Sequence, residues 1–496
     1  MLGGAHPTGD HAIFELNVRQ ALSGAQRVGP YSQGFYHPGT AYFYWLALPY
    51  ALLGHTTFAL HAGAALLTLL FFAGIWAIAA RFTSGALALI LLVPLLGLEL
   101  AYLGDFPEFD YWPPYVLFFG FALFVLLAAL LLAGERRALT PLVALGSFLV
   151  QTHVSYAPAV AIVGLFAAVT RRELFRGRGR RELALSLLAL SLLWALPAYA
   201  ELFGGQGNLA RLRHAFFGGA PPAWQLGRIA DTVALEFSGP LQFALFRDRF
   251  IVPDAPKHYA AARVLALLQL FLLALAFRRS RARGDAFSAA LCGVSAGSLL
   301  IAAWSLTRIK GAIAPHHTAW ISTLGFTSLF AIACGLPVVT PRWLPLRPLL
   351  RFSVLAGAWL AFCLVWPARI LAAVHANPEV GELTRHAAML IRESSGRPRI
   401  TWSPTPRRGE APPDALIWAT SVMLELERQG LDFFTGKNPD LRWMLGKPRW
   451  EGKGPAGTVL VFFVEAPPRP LERVRCVERG DNYFMRYPAC VGVVPP

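Results

Sequence analysis

Apolar runs of about twenty residues recur along most of the chain, at 56–80, 85–104, 113–133, 183–203, 259–277, 286–306, 318–340 and 352–374, each bounded by short polar stretches. A helix needs roughly 20 apolar residues to cross the hydrocarbon core of a bilayer, so each run predicts a membrane span. Two further runs, 139–155 and 156–170, are shorter and hold Gln151-Thr152-His153 and Pro158 where they meet. They predict either two abbreviated helices or one re-entrant hairpin, with the polar groups facing protein or water. Ala41 to Leu53 predicts an interfacial or re-entrant helix, and Asp10 to Ala21 a short surface helix with Asp10 near its N-cap.

Beyond about residue 375 the pattern changes. Ala415 to Gln429 carries apolar residues at helical spacing, and Gly457 to Val464 reads as a buried strand. Prolines and charges of both signs surround these elements. The expectation is a polytopic α-helical membrane domain of about ten spans over 1–375, followed by a small extracytoplasmic α/β domain over 376–496. No internal repeat is visible.

Composition agrees. The chain has 496 residues, 55% hydrophobic and only 15% charged, with a mean hydropathy of +0.47. A single water-soluble core stops growing near ~250–300 residues, which excludes one soluble domain. The net charge of +16 is spread over many short loops with no basic stripe and interleaved aromatics, which sets nucleic acid aside as a partner. Of the five cysteines, Cys292, Cys334 and Cys363 fall in apolar runs as packing residues, while Cys476 and Cys490 lie in the tail and could pair outside the cytosol.

Arginines fix the sidedness. Arg81, Arg136 and Arg137, the six between Arg171 and Arg181, the four between Arg278 and Arg283, and Arg342, Arg347 and Arg351 all fall on one side if the spans alternate. By the positive-inside rule that side is cytosolic, so the protein is expected in the cytoplasmic (inner) membrane. Residues 1–55, 104–112, 203–258, 307–317 and the tail then lie outside. The segment from Met1 to Asp10 is polar, so a first helix upstream is expected to carry it across; the alternative is unaided insertion.

The outward loops hold the candidate chemistry. In the first, Asp10, the i,i+4 pair Glu15 and Arg19, and His37-Pro38-Gly39 invite ordinary readings as a cap, a surface pair and a turn. In the second, Asp105, Glu108 and Asp110 are interleaved with aromatics up to Trp112 and have no cation beside them. Clustered carboxylates raise one another's pKa and suit a general base or a metal site. A third loop has the opposite sign: Arg308, Lys310, His316 and His317 suit a phosphate at headgroup depth, or plain snorkelling. Gln151 and His153 add polar groups inside the short helix pair, where a functional role competes with interhelical bonding.

The order of these features resembles the GT-C superfamily of integral membrane glycosyltransferases, nearest the branch of protein O-mannosyltransferases and the lipid A aminoarabinose transferase. Asp10, the stretch His37 to Tyr44, the acids Asp105, Glu108 and Asp110, and the tail 376–496 occupy the places of that branch's motifs. This chain has Asp10-His11 where the branch commonly has Asp-Glu, so Glu15 is the only other acid of the first loop. The resemblance implies a sugar transferred from a polyprenyl-phosphate donor to a hydroxyl of a lipid, glycan or protein acceptor, in one inverting step. Asp10 would be the base. Glu15, Asp105, Glu108, Asp110, His37, Trp112, Gln151 and His153 would bind acceptor or sugar, and Arg308, Lys310, His316 and His317 the lipid phosphate. No cofactor is expected, although Asp10 and the second acidic loop could share a divalent cation. A transporter or lipid flippase is the alternative class; it usually shows repeats and midplane charges. A polysaccharide ligase is a third, kept open by Arg211, Arg213, Arg228, Arg247 and Arg249 in 203–258.

Overall fold

The computed structural model describes residues 6–32, 34–82, 85–103, 110–174, 179–204, 207–218, 226–249, 257–309, 313–336, 378–394, 398–402, 414–435, 459–464, 470–477 and 489–494. The expected span 352–374, Cys363, and the candidate residues Asp105, Glu108 and Lys310 lie outside them. The chain is a polytopic α-helical membrane protein with a small C-terminal sheet. It divides into two compact units, one formed by 1–32, 43–63 and 370–496 and the other by 33–42 and 64–369.

The larger unit is a helical bundle. Among the described residues, six helices are long and apolar enough to cross a membrane: Thr57–Arg81, Pro113–Leu132, Arg180–Phe203, Tyr259–Ala282, Ala286–Leu306 and His316–Gly335. Most of Pro113–Leu132 is buried, whereas little of Arg180–Phe203 is. The first is therefore the hub of the bundle, and the second leaves Leu187, Leu192 and Leu202 facing outward as lipid-facing side chains do. Close packing rests on small residues. A Cβ on Gly325 would collide with the main-chain oxygen of Phe237, so the helices Leu226–Phe237 and Ser322–Gly335 meet backbone to backbone.

The short apolar pair resolves as two helices, Leu139–Thr152 and Ala157–Thr170, joined by a single 3-10 turn at Val154–Tyr156. Each is 14 residues, about 21 Å at 1.5 Å per residue, which is short of the ~30 Å hydrocarbon thickness. His153 ends the first helix in an extended conformation.

Polar contacts tie neighbouring loops and helix ends together in pairs. Arg81 pairs with Glu135, Thr140 donates to the carbonyl of Glu182 (3.1 Å), and Arg283 donates to that of Gly335 (2.8 Å). Tyr42 donates to the carbonyl of Tyr111 (3.0 Å), Asn208 bonds Tyr36, and Arg308 bonds Phe216.

The smaller unit joins the N-terminal segment to the tail. Helix Asp10–Leu22 starts after Gly9, whose φ of 56° suits glycine, and ends in a turn at Gly24. Helix Ala41–Leu52 folds back on the start of the next helix; Trp45 donates to the carbonyl of Gly63 (2.9 Å), and Gly63 makes room for Pro49. The tail supplies helices Pro378–Arg392 and Asp414–Arg428 and the strands Arg399–Trp402, Val459–Val464, Glu472–Val477 and Ala489–Val493. The first two strands are parallel, and the last lies antiparallel between Val459–Val464 and Glu472–Val477. Cys476 and Cys490 stand directly opposite across that last pair and are disulfide-bonded. One core unites the unit: Ala12, Ile13 and Leu16 pack with Leu383, Trp418, Val422 and Phe462.

Candidate active site

In the larger unit, four histidines from three parts of the chain gather together. His37 comes from the segment before helix Ala41–Leu52, His153 from the break in the short pair, and His316 and His317 from the start of the last described span. Val154 N–H donates to His37 Nδ1 at 3.1 Å, and Ala314 N–H donates to His317 Nδ1 at 3.1 Å. An Nδ1 that accepts carries no proton, so in both rings the neutral tautomer places its N–H on Nε2. Burial, with His316 and His317 as neighbours, lowers the pKa of His37 to about 3. His37 is thus a fixed neutral donor, not a cation.

Aromatic contacts bind the cluster together. The His37 and His153 rings lie 4.5 Å apart and those of His316 and His317 4.1 Å, while Trp112 meets His316 edge-on at 5.2 Å. Phe35 touches both His37 (5.8 Å) and Phe216 (5.5 Å). The carbonyl of Phe216 accepts from Arg308 at 3.0 Å, and the guanidinium sits 5.3 Å from the Phe217 ring. The Arg308 Nε–H is buried without an acceptor among the described residues. Arg211 lies over Tyr36 at 5.9 Å, and Asn208 pairs with both main-chain groups of Tyr36, at 2.8 and 2.9 Å.

Asp110 and Gln151 hold this region in shape. Asp110 accepts from Trp112 N–H at 2.8 Å, a local turn ahead of Pro113-Pro114. Gln151 donates to the carbonyl of Leu193 at 2.9 Å, and its own carbonyl accepts from Gly39 N–H at 3.2 Å. A Cβ on Gly39 would overlap the Gln151 side chain, which is the physical reason for glycine in His37-Pro38-Gly39.

In the smaller unit, Gly9 takes the cap position and Asp10 is the first residue of its helix, where its charge suits the helix dipole. The Tyr31 hydroxyl donates to the Asp10 carboxylate, and burial and then Asp10 raise the pKa of Tyr31 well above its usual value. Glu15 and Arg19 do not form the surface pair their spacing suggested. Glu15 is fully buried and accepts from Tyr50 (2.7 Å), Thr57 (3.0 Å) and Arg428 (2.5 and 3.0 Å). Arg19 pairs with Glu427 at 2.9 Å. Those surroundings are those of a structural ion pair rather than of a sugar ligand.

Sequence reasoning missed several groups. Glu236 is buried between the hydroxyls of Tyr102 (2.9 Å) and Thr318 (3.0 Å), the residue that follows His317. Glu99 accepts from Ser322 at 2.6 Å. A lone acid inside the apolar run Leu95–Leu103 was the available signal for Glu99. Among the described residues no three His, Cys, Asp or Glu side chains converge as a metal site would need.

No family model matches the chain, and no curated protein matches it. Two solved structures do. The chain is similar to "ArnT from Cupriavidus metallidurans bound to Undecaprenyl phosphate", with a TM-score of 0.47 and 12% identity, over 99% of this chain and 95% of that one. It is also similar to the same ArnT in the apo state, with a TM-score of 0.41 and 12% identity, over 99% and 94% of the two chains.

Proposed function

We propose that this protein is a membrane glycosyltransferase that moves a sugar from a polyprenyl-phosphate donor to an acceptor hydroxyl at the extracytoplasmic face, inverting the anomeric centre. The observation that carries the reading is the donor set of the larger unit. His37 and His317 hold neutral Nε2–H groups, and Arg308 keeps a buried Nε–H without an acceptor among the described residues. Such preorganised donors, with one fixed cation, solvate a phosphate and stabilise the charge it gains on leaving. The apolar flank of Phe35, Phe216, Phe217 and Trp112 suits a lipid-linked substrate. The order of acidic, His-Pro and basic motifs along the sequence supports the same class.

In the proposed step the acceptor oxygen bonds to the anomeric carbon as the bond from that carbon to the phosphate oxygen breaks. The acceptor proton passes to the Asp10 carboxylate, and the electron pair leaves with polyprenyl phosphate. Tyr31 orients the carboxylate. Phosphate is already a good leaving group, so no dedicated acid is needed. Asp105, Glu108 and Lys310 keep their proposed roles in acceptor, sugar and phosphate binding, and the orientation in the cytoplasmic membrane follows the arginine rule.

One observation favours a transporter instead: Glu99 and Glu236 are buried within the bundle, where proton-coupled carriers keep acids. Binding separates the two. In nanodiscs, polyprenyl phosphate should bind at least tenfold more tightly than the free polyprenol, and Arg308→Gln should remove most of that preference, about 1.4 kcal/mol or more. Equal binding of phosphate and alcohol would count against the transferase.

A further inference from the structure

The helix that carries Asp10 is gripped by the far end of the chain. Arg428, the last residue of helix Asp414–Arg428, sends both Nε and Nη2 to Glu15, 413 residues away, while its Nη1 bonds Glu425 at 2.6 Å. One turn further along the N-terminal helix, Arg19 meets Glu427 at 2.9 Å. Between the polar pairs, Ala12, Ile13 and Leu16 enter the tail's own core beside Trp418 and Val422. Glu15 is fully buried, and a buried carboxylate without its charged partner is strongly unfavourable, so Arg428 helps to fix the rotation of the N-terminal helix alongside the Tyr50 and Thr57 hydroxyls and the apolar contacts. A two-pronged guanidinium contact fixes orientation as well as distance. Asp10 is on the same rigid helix, five residues before Glu15.

We infer that the C-terminal domain is a positioning part of the Asp10 site: Arg428 and Glu427 act as positioning residues through Glu15 and Arg19. This rests on the reading of Asp10 as the base. The tail is the clamp that sets the angle of the catalytic helix.

The test uses the full chain in nanodiscs, with amide hydrogen exchange over residues 12–22 and steady-state transfer measured on the same samples. In folded Arg428→Gln, exchange across 12–22 should rise about tenfold or more as the helix loosens. Its kcat should fall at least tenfold while the donor KM stays within about twofold, the mark of a displaced catalytic group rather than lost binding. Arg428→Lys should recover part of the loss. The exchanged pair, Arg19→Glu with Glu427→Arg, should restore most of what Arg19→Glu alone removes. Unchanged exchange in folded Arg428→Gln, or an exchanged pair no better than the single variant, would overturn the inference. Asp10→Asn separates the two readings, since it should abolish transfer and leave exchange over 12–22 as in the wild type. If the wild type transfers no sugar at all, the proposed reaction fails, and the exchange data alone decide whether the tail holds the helix.

Discussion

Glu236 makes the pH dependence of this protein calculable. It lies on helix Leu226–Phe237, between two of the candidate spans, and its carboxyl is enclosed between Tyr102 and Thr318. Burial raises its pKa to about 7 from a reference of 4.5, against the opposing hydrogen bonds of Tyr102 and Thr318 and the charge of Lys257. The folded state therefore holds a proton that the unfolded chain releases between pH 4.5 and 7. A raised acid pKa means stability that is present below 4.5 and lost as pH rises through about 7. At 1.36 kcal/mol per pKa unit the whole effect is on the order of 3 kcal/mol, of which roughly 2 to 3 kcal/mol falls between pH 5 and 8. Glu236→Gln removes the titration and keeps an acceptor for Tyr102 and a donor for Thr318. Thermal unfolding of the two proteins in detergent, from pH 5 to 8, isolates this group because every other titration is common to both. The difference curve should move in the variant's favour by that amount as pH rises. Parallel curves across the range would refute the assignment of Glu236 as a buried neutral acid.

Three further outcomes follow from the same packing and bonding. Gly39→Ala places a Cβ inside the Gln151 side chain, so it should cost about 1–3 kcal/mol of overpacking; an unchanged melting temperature would contradict the close approach. Replacing both Cys476 and Cys490 by serine removes a cross-link closing a separation of 14 residues, worth about 3 kcal/mol in the chain-entropy picture. Non-reducing peptide mapping should show the two joined, and free labelling of both by a maleimide without reductant would exclude it. His37 sits at about pKa 3, so between pH 5 and 8 it stays neutral and adds no inflection to the transfer profile. His37→Gln, which can still accept from Val154 and donate, should retain more activity than His37→Ala; equal loss in both would remove the neutral-donor role.

The membrane helices were legible because hydrophobic runs report span length directly. The expected 286–306 is the observed Ala286–Leu306, and the expected 85–104 ends at Leu103. The tail helix and strand were equally readable from helical spacing in 415–429 and the run Val459–Val464. What the sequence hid was long-range pairing. Glu15 and Arg19 look like partners at i,i+4, and only the fold reveals that each bonds a residue more than 400 positions away. Asp10 read locally as a cap, yet Gly9 occupies that position and Tyr31 takes the carboxylate. The histidines were visible one by one, but their convergence needed the break at His153 to meet the His37 segment. Glu236 escaped notice because its amphipathic helix gives no hint that Tyr102 and Thr318 will enclose its carboxyl.

The most direct test of the central claim is transfer itself. The full chain, reconstituted in lipid with a panel of labelled polyprenyl-phosphate sugars and membrane extract as acceptor source, is compared with Asp10→Asn. The account predicts that label leaves one donor class with the wild type and stays on it with Asp10→Asn, while both proteins fold alike. Label that never leaves any donor, or that leaves equally from both proteins, would contradict it.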